Sequence, residues 1–225
     1  MSMTFDPYKV PANAISEAQD VIMTNPTALK ELENYWAALP RSNGVPHRKH
    51  VDPIAMGALL EDSFILERVA PGVARIRVAG RNITKLIGVE PRGLPLTAIM
   101  LPEARPDIAK YLEQVFMTPS IVEIPLIGPR AVGQPKLHGK ILLLPLRDDH
   151  GRVSRILGLL VMSGRRGLGG RRFTIVSDKA ARVDAVVGLH AVPGGKTKTH
   201  CPTFRVPYHE KAEDKPALRL VVSND

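Results

Sequence analysis

Two apolar runs, Ile141–Leu144 and Ile156–Met162, constrain this chain more than any other feature, because both are apolar at odd and at even positions. Successive side chains of a strand point to opposite faces, so strands of this kind belong to a sheet covered on both sides. Between them Asp148-Asp-His-Gly151 is rich in turn formers, and the pair reads as a hairpin. Short helical segments elsewhere in the chain can cover one face. The other needs a second cover, for which the helix carrying Trp36 or a second subunit is the candidate.

The segments on either side supply the remaining elements. Ser63–Val69 leads through Pro71-Gly72 into Val73–Ala79, where Arg75 and Arg77 alternate with Ala74, Ile76 and Val78 as a half-buried hairpin requires. In Gly80–Gly93, Ile83, Leu86 and Ile87 fall at helical spacing, and Gly88 and Gly93 stop each turn. Pro102–Met117 predicts a longer helix with Ile108, Leu112, Val115 and Phe116 on its apolar side, and Ser120–Ile127 a strand. Asn25-Pro26 is a helix start, after which Leu29, Leu32, Tyr35, Trp36 and Leu39 share a face until Pro40. A basic, turn-rich stretch to Pro53 and a short helix over Ile54–Leu60 connect this helix to the sheet.

On the Arg77-Val-Ala-Gly80 strand end, the Leu86-Ile-Gly-Val-Glu-Pro-Arg-Gly93 element and the hairpin Ile141–Gly158, the chain resembles the PAS sensor superfamily. More narrowly it is similar to a family of single-domain PAS-like proteins of alphaproteobacteria. The resemblance implies an α+β fold: a five-stranded antiparallel sheet with short helices on one face, here with an N-terminal amphipathic helix and a basic C-terminal extension. It also implies sensing rather than catalysis, and its pockets can be filled by their own side chains. Haem would need an axial histidine in the helical middle, and Gly80–Leu101 has none. Flavin photochemistry would need a cysteine near the cofactor, whereas the single cysteine, Cys201, lies in the tail. No cofactor is expected.

A chain of 225 residues with 44% hydrophobic content suits one well-buried domain with extensions. The divisions read as an arm over 1–24 with a turn of helix about Ser16–Met23, a sensor domain over 25–163 and a basic, partly disordered extension over 164–225. Residues 164–225 hold 12 Lys/Arg against 6 Asp/Glu, so most of the net charge of +9 belongs to the tail. Gly164–Arg172 reads as a flexible basic linker, Arg172–Ser177 as a brief strand, Asp178–Leu189 as a short helix and the rest as disordered. No run is long and apolar enough for a membrane span, no secretory signal is visible, and a lone cysteine agrees with a reducing compartment; a cytoplasmic protein is expected.

Several motifs have a plainer reading beside the functional one. Gly195-Lys-Thr197 ends like a phosphate-binding loop, but His190 stands where that motif needs glycine, and a tail segment is favoured. His190, His200, Cys201 and His209 do not repeat the paired spacing of a zinc site. Asp148 and Asp149 are turn residues before they are a catalytic pair. His138, Lys140, Arg81 and Lys85 are expected at the surface, where Lys and Arg are seldom buried unpaired. The Arg165-Arg166 and Arg171-Arg172 pairs could meet phosphates, yet Phe173 is the only aromatic near them and nucleic acid is disfavoured as a partner.

The function expected is perception of a small-molecule or partner signal and its relay by protein–protein contact, to a signalling partner such as a sensor kinase or through a homodimer. It is not expected to be an enzyme. The alternatives are a nucleic-acid-associated protein acting through its tail, and a small-molecule-binding enzyme on a cone-shaped α+β fold. The expected pocket is apolar and takes a small apolar ligand: Ile76, Val78, Ile83, Leu86 and Ile87 face Leu142, Leu144, Leu157 and Leu159 across one interior, with Arg81 or Lys85 at the rim. Leu29, Leu32 and Trp36 form the expected interface stripe, with Trp36 buried on the outer face of the hairpin strands.

Overall fold

The structure is a computed structural model that describes residues 21–23, 27–42, 44–167, 169–176 and 181–186. Five long strands, β4 (Ser63–Ala70), β5 (Val73–Ala79), β6 (Ser120–Gly128), β7 (Leu137–Arg147) and β8 (Val153–Arg165), pair antiparallel in the order β6-β7-β8-β4-β5. Three short strands extend this sheet. β1 (Val21–Met23) pairs the end of β8, while β9 (Thr174–Ile175) and β10 (Arg182–Ala185) both pair the outer edge of β6. The architecture is the expected α+β sheet. A two-stranded ribbon, β2 (Arg41–Ser42) with β3 (Val45–Pro46), stands apart from it.

Helix α1 (Ala28–Ala38) precedes the sheet, and α2 (Pro53–Met56) with a 3₁₀ turn over Gly57–Asp62 fills the expected short helix. Asp52 caps α2 by accepting the Ile54 amide at 2.9 Å, and Pro53 supplies the fixed φ of a first helical residue. Between β5 and β6 lie α3 (Arg81–Ile87), 3₁₀ turns at Leu96–Ile99 and Pro102–Ala104, and α4 (Arg105–Met117). Gly88 ends α3 with φ +79°, the left-handed stop its position in the sequence suggests. The four apolar residues expected on α4, Ile108, Leu112, Val115 and Phe116, are all buried.

Both faces of the sheet are covered, each by its own cluster. The inner one holds Ile141 and Leu143 of β7, Ile156 and Leu160 of β8, Phe64 and Leu66 of β4 and Ile76 of β5 beneath α3 and α4. The outer one holds Leu142, Leu144 and Leu146, Leu157 and Leu159, and Ile65 beneath α1 and α2. In the outer cluster Leu32 and Trp36 are buried, and the Trp36 Nε1–H donates to the Pro145 carbonyl at 2.9 Å. Trp36 therefore sits where the apolar stripe of its helix places it.

This partition corrects the expected single interior. Leu142, Leu144, Leu157 and Leu159 lie on the face opposite Ile76, Ile83 and Leu86, because the phase of β7 and β8 is one residue from that assumed. Val78 departs for a second reason. A register shift, in which Ile65 pairs Val78 while Leu66 pairs Ile76, leaves Arg77 as the extra residue of a bulge. Beyond it the alternation inverts, and Val78 is 50% exposed on the outer side.

The segment after β8 also differs from the flexible linker expected. Arg171 and Phe173 are buried, Phe173 bridges Met100, and its carbonyl accepts the Leu101 amide at 2.7 Å. The brief strand is present as β9, but β10 stands within the stretch expected to be helical. Arg182 ties β10 back to α1 through Glu33 Oε2 at 2.9 Å. Asn25, Pro26, the tail motif Gly195–Thr197 and the residues His190, His200, Cys201 and His209 lie outside the described residues.

Candidate functional site

The inner face is packed. Ile76, Ile83 and Leu86 are at most 1% exposed and touch a cluster that includes Leu96, Ile99, Met100, Leu112 and Phe173, with Ile87 half-buried at its edge. Gly158 shows how closely the strands and rings fit. A Cβ there would lie 2.1 Å from Cε2 of Phe64, its direct cross-strand neighbour, so the absence of a side chain lets the ring lie over the strand. Three hollows among the described residues lie open at the surface and none of them enters this cluster as an enclosed chamber; of its buried rings Phe64 alone borders one of the three.

The charged residues considered for a ligand all face solvent. Arg81 pairs with Glu61 at 2.7 Å, Lys140 with Glu123 at 3.1 Å, and His138 and Lys85 are exposed. His138 and Lys140 flank a shallow hollow with Leu29 and Val161 on the outer side. Asp148 organises the β7–β8 turn: Oδ1 accepts the His150 and Arg152 amides at 2.9 Å and Oδ2 the Ser154 hydroxyl at 2.7 Å. Burial acts to raise its pKa, but the Ser154 bond, the two amides and the Arg152 charge outweigh it and hold the carboxyl down at about 2. That is the turn role its neighbours suggest.

Two surface hollows are built from apolar walls. The first, about 430 Å³, lies on the outer side where the bulged end of β5 meets α2. Val51, Met56, Leu60, Ile65 and Val78 line it, with Leu157 on its floor and Arg48, Arg81 and Glu61 at its margin. Leu60 in its wall is 40% exposed, and Ile54 of the same α2 segment is 90% exposed. Three of the eleven residues expected to line a pocket, Val78, Arg81 and Leu157, line this hollow, and Leu142, Leu144 and Leu159 lie with Leu157 in the outer cluster.

The second hollow, about 660 Å³, lies where the chain returns after β8. Here the Arg171 amide donates to the Leu86 carbonyl at 2.8 Å and the Phe173 amide to Ile99 at 2.9 Å, so the return runs beside the end of α3 and the following 3₁₀ turn. Gly170 permits the approach: a Cβ there would stand 2.4 Å from the Ile87 carbonyl oxygen. The Arg171 guanidinium bonds four backbone carbonyls, Arg166 at 2.8 Å, Pro135 at 2.7 Å, Gly128 at 3.3 Å and Pro129 at 3.4 Å. One buried side chain thus joins the β6–β7 loop to the return. Sequence reading missed this residue because it treats an Arg-Arg pair amid glycines as solvated; Phe173, the one large apolar residue beside it, was the available signal.

A family model described as a PAS domain matches residues 23–161, more than half of the chain. The chain belongs to the PAS domain family. Among solved structures, this PAS domain is similar to one from work on a flavin analogue and the Light-Oxygen-Voltage domain mechanism, at 19% identity and TM-score 0.39, covering 49% of this chain and 83% of that one. The dark structure of the blue-light photoreceptor Aureochrome1 LOV gives 19% identity and TM-score 0.35, covering 51% and 86%. An RNA-binding Light-Oxygen-Voltage receptor gives 17% and 0.37, covering 55% of this chain and 36% of that one. Comparison with curated proteins returns no match. Among the described residues of this PAS domain no helix is long and apolar enough to cross a membrane, and no three His, Cys, Asp or Glu side chains group as metal ligands would.

Proposed function

We propose that this is a non-enzymatic sensory and regulatory PAS domain that relays its signal by contact with another protein, a cytoplasmic signalling partner of the sensor-kinase kind. The observation that carries the reading is the contrast between a filled inner core and an apolar hollow left open on the outer side at Val78, Leu60 and Met56. Monomeric surfaces rarely keep a contiguous apolar patch without a use. At the margin Glu61 pairs with Arg81, which among the described residues leaves Arg48 as the cation to meet an acidic group of the partner. Leu32 and Trp36 of the expected interface stripe pack on the chain's own sheet, which leaves the neighbouring hollow for the partner. The narrower kinship we propose is with single-domain PAS-like proteins of alphaproteobacteria.

The experiment places a photo-crosslinking residue at Val78, at Leu60 and, as a control, at the fully exposed Val132, in cells that make the full chain. One acidic signalling protein should crosslink from the first two positions alone. The purified pair should then bind, and Val78→Glu, which alters an exposed residue, should weaken binding at least tenfold without changing Tm. Equal crosslinking from Val132, or a purified pair indifferent to Val78→Glu, would reject the reading. A second copy of this chain in place of the partner would make the outer side a homodimer contact.

A further inference from the structure

The hollow at the chain's return combines apolar walls with a buried cation. Ile87, Leu94, Ala98, Leu101 and Pro129 provide the walls, and among the described residues no Asp or Glu borders the cavity. Its 660 Å³ lies within the roughly 300–1,000 Å³ usual for small-molecule sites. Arg171, which lines it, is 2% exposed. All of its bonds are to backbone carbonyls, whose dipoles solvate a cation without neutralising it. Burial accordingly pushes the guanidinium pKa down from its ordinary value.

The donor inventory leaves room for a ligand. A guanidinium has five N–H groups. The Nη2 pair serves Gly128, Pro129 and Pro135, and one Nη1 hydrogen serves Arg166, so among the described residues Nε–H and the second Nη1–H meet no acceptor. Arg172 adds an exposed positive charge at the rim.

We propose that this cavity binds a small amphipathic anion, its apolar body against Ile87, Leu94 and Leu101 and its carboxylate-like head towards Arg171. A neutral molecule of the same shape would bury the same walls but leave the cation uncompensated, so the head group decides selectivity. Gly170, Arg171 and Arg172 lie beyond the family-matched stretch 23–161, so the site belongs to this chain's own return segment. It is separate from the outer hollow, and its test needs no partner protein.

Octanoate serves as the probe, with octan-1-ol as its uncharged counterpart and inorganic phosphate as a head without a body, each titrated into the full chain. Octanoate should shift the Ala98 and Leu101 amide resonances saturably and raise Tm, at least tenfold more tightly than octan-1-ol, while phosphate leaves them unmoved. Ala98→Trp should fill the space and abolish the shifts. If that variant does not fold, Val89→Trp blocks the mouth from an exposed position. Arg172→Gln should fold as the parent does and weaken octanoate several-fold. Arg171→Gln, where it folds, should erase the preference for octanoate over octan-1-ol. Equal binding of the two, a response to phosphate alone, the absence of saturable shifts, or octanoate binding that survives the blocked cavity would each overturn the proposal.

Discussion

The two faces of the sheet are made of alternate residues of the same strands, yet they are closed by different means. The inner face meets α3, α4, two 3₁₀ turns and Phe173, and its cluster runs from Phe64 to Phe173 with most of its members almost wholly buried. The outer face meets α1 and, at one end, the short α2, and its smaller cluster borders an open hollow at Val78 and Leu60. A face sealed by several elements resists local change, since dense packing penalises any alteration of volume. A face covered by one long helix and a single short turn beside it leaves the hollow at that turn open to meet something else. The inner face therefore holds the fold, and the outer face is where a change of packing is cheapest.

The sharpest way to break that division is to shorten the chain. A fragment ending at Gly164 lacks Phe173 and Arg171 and exposes the edge of β6; loss of the Phe173 ring alone should cost about 3–5 kcal/mol. We expect that fragment to be unfolded or aggregated in circular dichroism and size exclusion, and one ending at His190 to melt as the full chain does. A stable fragment ending at Gly164 would show that the inner face closes without its last contributor.

Next in size is the outer face. Trp36→Ala should lower stability in urea by about 3–5 kcal/mol, and Trp36→Phe by about 1–3 kcal/mol, since the Pro145 carbonyl loses its buried donor. If both substitutions proved neutral, α1 would not be a permanent cover. The fit of the inner face is checked by Gly158→Ala, expected to cost about 1–3 kcal/mol through overpacking against Phe64. Phe64→Leu should recover part of that loss, and purely additive effects in the double variant would deny the contact.

The smallest effect lies at the turn joining β7 and β8. Asp148 titrates near 2 in the folded chain and near 3.9 unfolded, so the folded pKa is the depressed one. Its contribution, about 2 kcal/mol, is present above pH about 4 and drains away as pH falls towards 2. Asp148→Asn should thus destabilise the protein at neutral pH and make little difference near pH 2. Parallel stability curves for the two proteins across that window would remove the carboxylate from the turn's account.

The sheet, the four helical segments and the need for two covers were legible because each rests on a spacing: Ile108, Leu112 and Val115 on a helix, or Ala74 and Ile76 between arginines. The phase of β7 and β8 was not, for the reason that made them conspicuous. A strand apolar at every position, such as Ile141–Leu144, carries no mark of which face is which. The bulge at Arg77 was hidden too, since a single extra residue leaves the alternation intact in the sequence and inverts it only in the pairing. Arg171 was misplaced because its acceptors are backbone carbonyls, which no side-chain motif announces.

The pairing of β9 and β10 with the outer edge of β6 also sets an order on the birth of the molecule. On the ribosome β6, β7 and β8 emerge first and could form their hairpins at once, but the unpaired N–H and C=O groups of the β6 edge have no cover until residues near 186 have been made. During that interval the nascent chain presents a strand edge to its neighbours. Slow translation just after β8 would lengthen the exposure and favour association between nascent chains, whereas rapid synthesis of the return would close the edge from within.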